Sequence, residues 1–94
     1  MTSVHYSKHA QERLVVRRVT KSQVTAAIRN PDALYQGVPS SAMVAVKRMK
    51  NRYLVVVFVA LEGERRRVIT VYHASDVDRL IRRKLGRRIW RIKA

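Results

Sequence analysis

His9, Arg13 and Arg17 follow one another at intervals of four residues, which sets side chains along one side of a helix. Two guanidiniums can hold a phosphate and stabilise the charge that develops on it. An imidazole can move the proton, and nearby positive charge favours the neutral ring that a general base requires. The competing reading is structural: His9 caps or packs, and the arginines meet Glu12 or solvent.

A second group, Thr70, Tyr72 and His73, closes the last strand-like segment. Strand ends that lead into loops often carry functional side chains. Tyr72 can stack on a base or donate its hydroxyl to a phosphate oxygen. It can equally be a packed tyrosine with a wet hydroxyl. Alternation along Arg66 to His73 places Val68, Thr70 and Tyr72 on one face, and Arg67, Ile69, Val71 and His73 on the other. Tyr72 and His73 therefore share a site only if the strand end twists or bulges. A third group is the basic C-terminal stretch: Arg79, Arg82, Arg83, Lys84, Arg87, Arg88 and Arg91, with Trp90 among them. Cations interleaved with an aromatic suit a single-stranded nucleic acid, gripped at its backbone and stacked on. A core-packed Trp90 inside a solvated charged face is the alternative.

These residues need elements to hold them. Ser7 is a good N-cap for a helix running to about Arg17. Thr20 and Gln23 form a capping-box pair for a second helix, which Asn30-Pro31 ends. Ala33 to Gln36 and Ala42 to Met49 read as strands. Tyr53 to Leu61 is almost wholly apolar, as a strand covered on both faces would be. Glu62-Gly63-Glu64 is a hairpin turn before the last long strand, Arg66 to His73. Ser75 and Asp78 suggest a second capping box, with Val77, Leu80, Ile81 and Leu85 as the apolar stripe of a helix that Gly86 stops. The tail from Arg87 to Ala94 fits a strand, an arm or more helix. The expected fold is α+β: two N-terminal helices on a small antiparallel sheet of about four strands, then a basic C-terminal helix. Residues 1–94 read as one domain with a basic extension from about residue 79.

The totals set bounds. The 94 residues carry 21 Lys and Arg against 6 Asp and Glu, a net charge of +15, yet 47% are hydrophobic. Such a chain can fold and attracts polyanions, with RNA the first candidate and DNA the second. Arginines outnumber lysines, and the planar fork of arginine binds phosphate bidentately and stacks on bases. The absence of cysteine excludes disulfides, thiolate metal sites and cysteine nucleophiles. No glycine-rich phosphate loop exists, since the 3 glycines are isolated. His5 and His9 lie four apart without an evident third ligand, so neither metal nor other cofactor is expected. Leu54 to Leu61, the longest apolar run, is too short to span a bilayer, and Met1 to Lys8 lacks a signal-peptide core. A cytoplasmic protein with no membrane partner is the expectation.

His9-Ala10-Gln11-Glu12-Arg13, Arg17-Arg18-Val19-Thr20 and Asn30-Pro31, with Val68 to Tyr72 as a last-strand motif, resemble a family of small prokaryotic proteins. That family is similar to the BrnT-type and RelE-like ribonuclease toxins of toxin–antitoxin systems. The resemblance covers roughly Tyr6 to His73. It implies a RelE-like fold and metal-independent RNA cleavage, in which a 2′-hydroxyl attacks the adjacent phosphate. It also implies an acidic antitoxin as partner. Carried over by position, His9, Arg13 and Arg17 match the helix motif and basic turn, and Thr70 and Tyr72 match the strand motif. One position departs: the glycine that usually follows the first basic residue is Arg18 here.

Two functions follow, ahead of a third reading as a binder of an acidic protein or a membrane surface. In the first, a toxin-like endoribonuclease, His9 is base or acid, Arg13 and Arg17 hold the scissile phosphate, and Tyr72 positions the substrate. In the second, a non-catalytic nucleic-acid-binding protein of architectural or regulatory type, the C-terminal cations suffice.

Overall fold

A computed structural model describes residues 3–37, 42–87 and 89–93. In chain order the elements are β1 (Ser3–Tyr6), α1 (Lys8–Arg17), α2 (Lys21–Arg29), β2 (Ala33–Gly37), β3 (Met43–Arg48), β4 (Tyr53–Ala60), β5 (Arg65–Ala74), α3 (Val77–Gly86) and β6 (Trp90–Ile92). The strands form one sheet in the order β1-β5-β4-β3-β2-β6.

The central strand explains the architecture. Along β4, Leu54, Val56 and Phe58 enter a core with Ala10 and Leu14 of α1 and Val24 and Ala27 of α2. Val55 enters a second core with Tyr35, Val44, Val46, Val77 and Trp90. An unbroken apolar run is stable here because helices cover both faces: α1 and α2 on one, α3 on the other. Each such side chain removed from water contributes about 1.5–3 kcal/mol.

This architecture corrects the expected one. The sheet is mixed and six-stranded, not a small antiparallel sheet of about four strands, and its strand order differs. β1 pairs in parallel with β5, Ser3 opposite Arg65 through Tyr6 opposite Val68. β6 pairs antiparallel with β2, Trp90 opposite Gly37. Four and three residues are too short to show a period, and their hydrogen-bond partners lie far away in sequence. The basic C-terminal helix lies across the sheet from α1 and α2, and the strand after it is built into the sheet edge.

Local signals act where they stand. The Ser7 hydroxyl accepts from the Ala10 N–H, and Thr20 and Gln23 make both bonds of the capping box. The C-terminal helix is capped by Asp76 and not Ser75, the Asp76 carboxylate accepting from the Arg79 N–H at 3.1 Å. α1 closes on Arg18, whose φ of 55° and ψ of 47° are left-handed. The Val19 N–H donates to the Leu14 carbonyl at 2.9 Å and the Arg18 N–H to Val15 at 3.2 Å, a Schellman closure. The departure from glycine thus leaves the turn intact.

A bulge governs the site. Val57 pairs with Thr70 and Phe58 with Val68, so Ile69 is an extra residue in β5. The strict alternation expected from the sequence therefore breaks. Val68 and Val71 both face the α1–α2 core, while Tyr72 faces the α3 core and Thr70 lies opposite Val57 of that face. Ser7 grips the bulge: its N–H donates to the Val68 carbonyl at 3.0 Å and its hydroxyl to the Ile69 carbonyl at 3.2 Å.

Candidate nucleic-acid interface

α1 brings His9 and Arg13 together. The Arg13 Nε–H donates to His9 Nε2 at 3.4 Å, a long bond on an exposed surface. Arg17 follows on the exposed last turn, and its carbonyl oxygen accepts from His73 Nε2–H at 3.1 Å. The other ring nitrogen, His73 Nδ1, is buried with no hydrogen-bond partner. His73 is therefore a strut between β5 and α1, and it also borders the cleft beside Tyr72, Arg79 and Arg83.

Tyr72 stands on the other face. Its ring joins the core beneath α3, with Leu80, Ile81 and Leu85 nearby. Tyr72 also borders a cleft of about 510 Å³, together with His73, Ser75, Asp76, Arg79 and Arg83. The Asp76 carboxylate is engaged as the cap of α3, and against its single negative charge Arg79 and Arg83 leave the cleft net positive. Burial pushes the Tyr72 phenol above its ordinary value, and the positive charge of Arg83 pulls less strongly the other way. At neutral pH the phenol keeps its proton and serves as a donor, not as a base. A second hollow of about 330 Å³ touches Tyr72 from the other side, bordered by Lys84, Ile89 and Trp90.

The sheet therefore divides the expected catalytic set. His9, Arg13 and Arg17 lie with α1; Tyr72 lies with α3. The four do not converge on one phosphate. The physical cause is the bulge at Ile69, which sets the facing of the last residues of β5.

The C-terminal residues also divide. Arg79, Arg83 and Lys84 border Tyr72. Arg82 is exposed on α3, its Nε–H reaching the Asp78 carbonyl at 3.4 Å, and Arg87 is exposed just past the helix. Arg91 is exposed on β6, where alternation turns it away from Trp90. Arg88 lies outside the described residues. Trp90 is a correction: the residue is 7% exposed and its ring is stacked on Tyr35, so it is not free to stack on a base. Lys84 Nζ lies over that ring at 5.9 Å.

Sequence reasoning missed Ser75 as a cleft residue, having assigned it to the cap. It also missed Arg29, Arg66 and Lys93, which meet around a hollow on the α2 side. No motif links residues so far apart; only the sheet joins them. Among the described residues, no three His, Asp or Glu side chains gather as metal ligands. No helix among them is long and apolar enough to cross a membrane.

The family described as domain of unknown function (DUF4258) matches residues 6–73. The chain belongs to the DUF4258 family. The DUF4258 match runs from the end of β1 to His73, so it includes α1, the bulge and Tyr72. The arginines of α3 that face Tyr72 lie beyond the matched segment. No curated protein and no solved structure matches this DUF4258 chain.

Proposed function

We propose that this DUF4258 protein binds single-stranded RNA in the cleft between the end of β5 and α3. One observation carries the reading: Tyr72 borders a cleft beside Arg79 and Arg83, close enough for the Arg83 charge to act on its phenol, and the one carboxylate there is already committed to a helix cap. The guanidiniums suit phosphate oxygens. The protonated Tyr72 hydroxyl suits a phosphate oxygen or a 2′-hydroxyl, the group that distinguishes RNA from DNA. Arg82 and Arg87, exposed on the same helix or at its end, extend the positive field along the strand. A cytoplasmic location completes this reading.

The test is fluorescence anisotropy with a labelled single-stranded RNA over a salt series. The Arg79→Ala, Arg83→Ala double variant should lose affinity and flatten the salt dependence. Wild-type affinity in the double variant overturns the assignment.

A second reading adds cleavage. The likeness of His9-Ala10-Gln11-Glu12-Arg13 to the helix motif of a family similar to BrnT-type and RelE-like toxins suggests it, and the His9–Arg13 pair on α1 supports it. In that reading His9 takes the proton of a 2′-hydroxyl as it attacks the adjacent phosphorus. The bond to the leaving 5′-oxygen breaks as water protonates it, a 2′,3′-cyclic phosphate forms, and Arg13 and Arg17 hold the phosphate without a metal. An acidic antitoxin would cover the cations. RNA cleavage in EDTA, lost in His9→Ala while binding persists, supports this reading. Intact RNA at concentrations that saturate binding excludes it.

A further inference from the structure

Across the sheet from Tyr72, the helical layer is incomplete. Beside the C-terminal end of α2 lies an open hollow of about 620 Å³ on the sheet surface. Ile28, Leu34 and Phe58 give it an apolar floor, and Arg29, Arg66 and Lys93 stand around it. No carboxylate lines it among the described residues. The three cations come from α2, β5 and the residue after β6, so it is the fold and not a charge run that assembles them.

Two features restrict the occupant. A sheet face in this architecture is closed by amphipathic helices, which supply an apolar stripe. α1 and α2 do so over the rest of this face. The rim, however, selects negative charge, and a nucleic acid would gain little from a floor of Ile28, Leu34 and a Phe58 too buried, at 4% exposed, to stack on a base. We infer that this hollow docks an acidic amphipathic helix of a protein partner. Its apolar stripe lies on the half-buried Ile28 and Leu34, and its carboxylates meet Arg29, Arg66 and Lys93. The site is on the opposite side of the sheet from the Tyr72 cleft, so it stands independently of RNA binding there.

The probe is a labelled peptide of about 18 residues, with leucines at i, i+3, i+4 and i+7 and glutamates elsewhere. Its control has the same composition in an order that destroys the stripe. Binding is read by fluorescence polarisation on the full chain. The patterned peptide should bind at least about tenfold more tightly than the scrambled one. It should lose about tenfold with the Arg29→Glu, Lys93→Glu variant, whose two sites are exposed. Circular dichroism and an unchanged melting profile establish that this variant folds. Excess single-stranded RNA should leave the peptide bound. Equal binding of both peptides, or none, overturns the proposal. So does displacement by RNA together with an equal loss of RNA affinity in the charge-reversed variant, which would make the hollow a nucleic-acid site.

Discussion

Trp90 lies stacked on Tyr35, ring centroids 5.3 Å apart and planes inclined by 23°. The contact fastens β6 to β2 and closes the core under α3. Trp90→Ala should therefore cost about 3–5 kcal/mol, read from urea unfolding followed by circular dichroism. A cost near zero would mean that β6 is not seated in the sheet. The same contact complicates a truncation after Leu85. That cut removes Trp90 and β6 together with the last cations, so lost binding would not separate recognition from folding.

Arg18 holds a left-handed conformation that glycine adopts without steric cost. Arg18→Gly should stabilise the chain by about 0.5–1 kcal/mol, and Arg18→Val should destabilise it. Thermal melts of the three proteins check the order.

Ser7 both caps α1 and binds the bulged residue Ile69. Ser7→Ala should cost about 1–2 kcal/mol, at the upper end for a cap because two hydrogen bonds are lost. If the bulge depends on Ser7, hydrogen exchange at the amides of β5 should quicken in the variant more than at those of β3.

Burial raises the phenols of Tyr72, Tyr6 and Tyr35. Each keeps its proton in the fold at a pH where the unfolded chain has begun to lose it. The unfolded state thus binds fewer protons above about pH 10, and stability falls as pH rises through that region. Below it the contribution is fully present. Melting temperatures from about pH 8 to 11 should show the decline. Tyr72→Phe should make it shallower; an unaltered slope would remove Tyr72 from the account.

In the RNA titration, removing two phosphate contacts with Arg79→Ala and Arg83→Ala should lower the slope of log K against log salt by about 1.4, at about 0.7 per contact. Tyr72→Phe should weaken binding about fivefold while leaving the slope unchanged, since it removes one neutral hydrogen bond. His9→Ala, across the sheet, should leave both quantities as they are.

The sequence alone determined what near neighbours decide. Ser7, the Thr20–Gln23 box and the stop at Asn30-Pro31 each act through atoms within a few residues, so they are legible in one dimension. The apolar run of β4 declared that both its faces are covered. The grouping of arginines in 79–91 was equally plain, as was their charge. Only the tertiary structure decided which of these residues share a site. The bulge at Ile69 is held by a hydroxyl 62 positions away, and it sends Tyr72 to the α3 side and Val71 to the other. β1 and β6 exist because distant strands supply their hydrogen bonds, not because their own residues insist on extension. His9, Arg13 and Arg17 do share a helix side, as their spacing states. Whether they meet Tyr72 depended on which face of the sheet each element packs against, and a period along the chain does not contain that information.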